Sequence, residues 1–248
     1  MPEKSALQRH YDYWDDYVSH WFMCDKSCCS YLPEPWWGWT PLNGNALHSV
    51  VINLNPGKGG IDQTRERLAS ILGNRTYGEA MHSGALPEHL PETHAWHSNH
   101  RAKSILSRLT DLDIPDKDCI SHHLSIELSP LHSVTSQEVD SYVAANLDDV
   151  LEHSLLFAAE ASRHIEGPLR RVVIVRCSAR RFMRIFKNYV ITPCSPEQNF
   201  RESPYWCRID APGFGDVDFV CVWGARNNLP KKDIEKIINT INNKNLSA

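Results

Sequence analysis

Four short apolar runs, each followed by a stretch of helical periodicity, constrain this chain more than any other feature. They lie at about 48–54 (HSVVINL), 119–128 (CISHHLSIEL), 170–177 (RRVVIVRC) and 217–224 (VDFVCVWG). The last three are near-continuous in apolar residues, as strands are when both faces of their sheet are covered. Residues 5–23 place Leu7, Tyr11, Trp14, Val18, Trp21 and Phe22 at steps of three and four, the spacing of an amphipathic helix. Further helices are expected over 62–72 with Asp62 as N-cap, over 98–111, over 136–164 opened by Ser136, from Ser178 to about Tyr189, and from about Pro230 onward. The segments 24–46, 74–97 and 190–211 read as loops. This alternation predicts an α/β fold, three-layer α/β/α, around a four-stranded parallel sheet with right-handed crossovers. One domain over 1–248 is the simplest account, with the helix and Trp-rich loop of 1–47 packed on it.

Composition narrows the class. The chain has 248 residues, of which 42% are hydrophobic, enough for a sizeable core. No apolar run approaches the roughly 20 residues that span a bilayer. The stretch MPEKSALQRHYDYWDD is charged and lacks the apolar segment of a secretory signal, so a cytoplasmic protein is expected. Its eight cysteines then read as reduced thiols, mostly buried as small hydrophobes. A net charge of −4 argues against a non-specific nucleic-acid binder, although a local basic face would suffice for DNA.

In open parallel sheets, ligands bind beyond the carboxyl ends of the strands. Here all four ends are polar. Asn53, Asn55, Pro56 and Gly57 follow the first run; Glu127, Pro130, His132 and Ser133 close the second; Cys177 and Ser178 follow the third; Trp223, Arg226, Asn227 and Asn228 follow the fourth. The glycines of VVINLNPGKGG suggest a phosphate loop, but their spacing fits neither GxxxxGK[ST] nor GxGxxG.

NLNPG resembles the first motif of the uracil-DNA glycosylase superfamily, in the branches where a short apolar strand runs into Asn-Pro-Gly. LPEPWWG upstream and ELSPLHS after the second run are similar to a bacterial branch that pairs a Pro-Glu-Pro-aromatic segment with that motif. The resemblance spans about residue 31 to the end, and the Asn-Pro-Gly motif carries its specificity. There are departures. Many members place an Asn at the end of the second strand where this chain has Glu127. Many carry His-Pro-Ser after the last strand where this chain reads Trp223-Gly224-Ala225-Arg226-Asn227-Asn228. The iron-sulfur branch needs four cysteines. Cys24, Cys28 and Cys29 could supply one pair, but nothing between Asn146 and Arg176 supplies the other, so no cofactor is expected.

The resemblance implies that Asn55 positions a water against the anomeric carbon of a flipped nucleotide, with Glu127 and His132 as further catalytic candidates. Glu127 could act as general base or read the base edge; His132 could stabilise the leaving base or contact a phosphate. Asn53, Pro56, Gly57, Tyr77, Ser125 and Trp36 are the candidates for the base pocket, Tyr77 by stacking, with Trp36 and Trp37 competing for that role. Gly57 stands where strict uracil enzymes have a tyrosine that excludes 5-substituted bases, so it leaves that side open. Along the second run Ser121, His123, Ser125 and Glu127 share a face by the period-2 rule. A carboxylate repels the O4 of uracil and accepts from the N4 amino group of cytosine, so if Glu127 reads the base a cytosine-type, 5-modified base is expected; the target stays open between a cytosine-type base and uracil.

The expected partner is DNA, double- or single-stranded and carrying the modified base, in the context of defence against foreign DNA. Lys58, Arg180, Arg181, Arg184, Trp223, Arg226 and Asn227 are the candidate DNA contacts, and the segments 74–97 and 190–211 could carry the wedge that base flipping requires. A monomer is expected, with no membrane and no metal, because His82, His89, His94, His97 and His100 lack zinc-site spacing. Two other functions stay open: a non-catalytic module that binds a modified base or nucleotide, and a hydrolase of free nucleosides or nucleotides.

Overall fold

The computed structural model describes residues 5–23, 33–54, 72–82, 102–109, 112–131, 136–194, 198–222 and 229–246. Seven strands form one mixed sheet: β1 (Trp36–Gly38), β2 (Ser49–Asn53), β3 (His123–Glu127), β4 (Val172–Val175), β5 (Val190–Pro193), β6 (Tyr205–Asp210) and β7 (Asp218–Cys221). Their order is β1-β3-β2-β4-β7-β6-β5. The central four, β3-β2-β4-β7, are parallel and correspond to the four apolar runs. Every residue of β2, β3 and β4 is buried, which explains why those runs lack a clean polar alternation.

The four-stranded expectation is corrected at both edges. β1 adds antiparallel to β3, and the β5–β6 hairpin adds antiparallel to β7. All three lie in segments read as loops. β1 is only three residues long and sits in PEPWWGW, where proline and glycine obscure any strand signal. Gly38 is required there: its φ is +101°, and a Cβ would lie 2.1 Å from the carbonyl oxygen of His123. β5 and β6 form the outer edge, so their sequence is broken by polar residues such as Arg208 and Asp210, both exposed.

Two further corrections bear on the site. Residues Asp116–His122 form a 3-10 turn rather than the start of the second strand, so β3 begins at His123. Ser121 accordingly does not join the β3 face; its hydroxyl donates to the carbonyl of Asp118 at 2.7 Å. The expected helix over 136–164 is interrupted. It runs as α3 (Ser136–Ala145), α4 (Leu147–Val150), a π-helical turn over Leu151–Leu156, and α5 (Phe157–Arg163). The π turn places Ser154, fully buried, against the end of β3, where its hydroxyl donates to the carbonyl of Glu127 at 3.1 Å.

Helix α1 (Ala6–Met23) follows the predicted amphipathic pattern, with Leu7, Tyr11, Trp14 and Val18 buried. It packs on α5, which itself lies on β2 and β4, and on the short α2 (Tyr77–His82). α6 (Ala179–Ile185) starts at the predicted cap: Ser178 Oγ accepts from the N–H of Arg181. α7 (Lys231–Leu246) closes the chain. The expected helix over 98–111 is present as a helical segment at 102–106. The one expected over 62–72 lies outside the described residues, except for Leu72. No helix among the described residues is long and apolar enough to cross a membrane.

Candidate functional site

The parallel register builds a polar row at the carboxyl end of the sheet. β2 and β3 pair Asn53 with Glu127, and β2 and β4 pair Ile52 with Val175, so Arg176 is the next residue on Asn53's other side. Three adjacent strands thus end in an acid, an amide and a guanidinium. Asn53 joins them. Its Nδ2 donates to Ser125 Oγ at 2.6 Å and to Glu127 Oε1 at 2.9 Å, and its Oδ1 accepts from Arg176 Nη1 at 2.9 Å. Asn53, Ser125 and Glu127 are each 5% exposed or less.

Burying a carboxylate is costly unless hydrogen bonds and an opposite charge compensate. Here one amide supplies a donor and connects the acid to a cation one residue further along the row. The row was only partly legible in the sequence. Asn53 and Glu127 stood out as polar ends of apolar runs. Arg176 was missed because RRVVIVRC read as strand through Cys177. Its signal was of the same kind as that of Asn53, a polar residue directly after an unbroken apolar run, Val172–Val175 before Arg176 and Val50–Ile52 before Asn53.

A second acid approaches from the edge strand. Pro33-Glu34-Pro35 runs alongside the end of β3: the N–H of Glu34 donates to Pro130 O, and that of Glu127 donates to Pro35 O. Glu34 is fully buried and accepts from Trp37 Nε1 at 3.0 Å. Tyr77 lies within electrostatic reach of Glu34, Asp15 and Glu127. Burial, reinforced by these negative charges, pushes its phenol well above the usual range and keeps it protonated.

Tyr77 and Trp36 occupy the core rather than an open stacking surface. Tyr77 is 1% exposed and donates from its hydroxyl to Trp36 O at 2.8 Å; Trp36 is fully buried, with the rings of Tyr11 and Tyr77 edge-on to it. Trp37 is likewise buried. Of the basic candidates, Arg181 and Arg184 both bind Asp140, at 2.7 and 2.6 Å, and tie α6 to α3. Arg181 is largely covered by this contact, whereas Arg180 is exposed. In the segment 190–211, a candidate for the wedge, Val190–Pro193 and Tyr205–Asp210 pair as β5 and β6, and residues 195–197 lie outside the described residues. Asn55, Pro56, Gly57, Lys58, His132, Trp223, Arg226 and Asn227 lie outside the described residues, as does most of 74–97.

Cys119, Cys177, Cys207 and Cys221 are buried thiols, and burial pushes Cys221 well above the usual thiol range. Among the described residues no group of three or more His, Cys, Asp or Glu could hold a metal ion. Chemically, the row offers hydrogen-bond readout and a carboxylate, on rigid strands that end at one edge of the sheet. No family model, no curated protein and no solved structure matches the chain.

Proposed function

We propose that this protein is a DNA glycosylase with the three-layer architecture of the uracil-DNA glycosylase superfamily. It hydrolyses the N-glycosidic bond of a flipped cytosine-type base, modified at the 5-position, and leaves an abasic site. The observation that carries this reading is the Glu127–Asn53–Arg176 row, its acid and amide buried and its guanidinium part-buried, at the end of β2 that precedes the Asn-Pro-Gly motif in sequence. An apolar core would be met more cheaply by apolar residues at these positions. The place of Asn53 and Glu127 at the carboxyl ends of parallel strands, where ligands of open α/β sheets bind, supports this reading.

In this reading the side chains of the row read the base and Asn55 orients the attacking water. The leaving base departs early, so the sugar carries cationic character, and an amide suffices to place the water. Glu127 supplies an acceptor for an exocyclic amino group. Arg180 and Lys58 would contact phosphate. Nucleobase chemistry in a duplex requires the target to leave the stack.

The test is abasic-site formation by the purified protein on single- and double-stranded oligonucleotides carrying uracil, cytosine or 5-substituted cytosines. Excision of a cytosine-type base that is lost in Asn55→Ala is the expected result. Uracil as the sole substrate would overturn the cytosine assignment. Binding without excision would favour a second reading, a non-catalytic modified-base module. The sequence Trp223–Asn228 favours that module, because it carries no histidine where many superfamily members have one.

A further inference from the structure

The Asn53 amide can be oriented in only one way. A guanidinium has five donors and no acceptor, so the atom of Asn53 that faces Arg176 must be its oxygen. Both amide hydrogens then point the other way, toward Ser125 Oγ and Glu127 Oε1. The consequence passes along the row. Glu127 must accept from Asn53, which its ionised form does with either oxygen. Ser125 also accepts from Asn53, which leaves its own hydroxyl hydrogen to be donated elsewhere.

We propose that Arg176 is the specificity-determining residue of this site, a positioning residue that acts through Asn53 to present Glu127 as an acceptor beside Ser125 as a donor. The proposal rests on the base-reading role given above and names the edge that is read. The complementary ligand carries an amino donor next to a ring-nitrogen acceptor, as cytosine does with N4 and N3. Uracil presents the opposite order, a carbonyl oxygen next to a ring N–H. Other groups face this part of the site: the Tyr77 phenol, with Glu34 and Asp15 around it. None of the three carries a positive charge, so they do not substitute for the guanidinium.

The experiment compares wild type with Arg176→Lys, which keeps a charged donor, and Arg176→Met, which removes it. Asn53→Asp is a second disruption, because it removes both amide hydrogens while leaving Arg176 a partner. Two readouts are taken. The first is the ratio of excision rates for cytosine-type and uracil-containing oligonucleotides. Arg176→Met and Asn53→Asp should lower this ratio about tenfold or more, the scale of one good base contact, and Arg176→Lys should largely preserve it. The second is the side-chain carboxyl 13C signal of Glu127 at neutral pH, assigned through Glu127→Gln. It should be that of a carboxylate in wild type and Arg176→Lys, and that of a carboxylic acid in Arg176→Met. A carboxylate signal and a selectivity ratio that are both unchanged in Arg176→Met and Asn53→Asp would overturn the proposal. If wild type excises no base at all, the glycosylase reading fails. The carboxyl signal then still decides whether Arg176 controls Glu127.

Discussion

The two ends of the β2–β3 pair are both polar, and they are built differently. At the amino end Ser49 Oγ and His123 Nδ1 share a hydrogen bond of 2.8 Å. His48 Nδ1 donates to Glu166 O and His122 Nδ1 donates to Ala46 O, both at 2.8 Å, with the two rings stacked 5.6 Å apart. The Ser49–His123 bond joins the two strands, and the other two contacts end on backbone carbonyls and fasten the segments around Glu166 and Ala46. At the carboxyl end the Asn53 side chain is bonded to three other side chains, those of Ser125, Glu127 and Arg176, while the main chain of Glu127 ties β3 to Pro35 and Ser154. One end is polar because chain segments must be fastened there. The other holds an acid and a guanidinium joined through the side chain of one amide. Polar burial on its own therefore marks no site; the identity of the partners does.

Breaking the row should have the largest effect on stability. Asn53→Leu removes the shared partner of three side chains and is expected to cost about 3 kcal/mol, measured by urea unfolding. A loss below about 1 kcal/mol would make the carboxyl end no different from the amino end.

Acid unfolding sharpens the comparison once a second source is separated from it. His10 on α1 is 5% exposed, stacked on Phe157 and 5.7 Å from the His153 ring. Burial, with the positive fields of His153 and Arg9, lowers it from 6.5 to about 4. The unfolded chain therefore binds a proton that the folded chain refuses. Stability is full above pH 6.5 and falls as the pH drops toward 4, by about 3 kcal/mol from this group. His10→Phe should flatten the stability profile over that range, and whatever acid loss persists belongs to other groups, the carboxyl end among them. An unchanged slope in His10→Phe would place the acid sensitivity elsewhere.

At the amino end, Ser49→Ala should cost about 1 kcal/mol, the scale of one hydrogen bond, and leave excision unaltered. A loss of excision there would erase the distinction between the two ends. Tyr77→Phe deletes only the hydroxyl that holds Trp36 O. It should lower stability by about 1 kcal/mol or less and spare base selectivity, whereas a changed selectivity would return Tyr77 to the pocket.

The same contrast explains what could be read in advance. The parallel core was legible because buried strands in a covered sheet must be apolar, and Val50, Val51, Ile52 and Val172 to Val175 are. The edge strands were not, because β1 and the β5–β6 hairpin bury less and tolerate proline, glycine and charge. Asn53 and Glu127 were visible as polar interruptions of apolar runs. Their connection was not, since it depends on register between strands separated by more than 70 residues. Arg176 carried the same signal as Asn53, obscured because RRVVIVRC reads as strand through Cys177. That Trp36 and Tyr77 lie in the core was not legible either, because aromatic residues serve cores and base stacks equally well.

The central claim is that Glu127 reads an amino group on the base, and Glu127→Gln tests it most directly. Asn53 Nδ2 already donates to one oxygen of this side chain, so the glutamine oxygen should remain there and its amide nitrogen should take the place of the other. An acceptor becomes a donor with little change of shape. Excision rates on matched oligonucleotides carrying a cytosine-type base or uracil should then shift from preference for the amino-bearing base in wild type to preference for uracil in Glu127→Gln. The same preference in both proteins would contradict the claim.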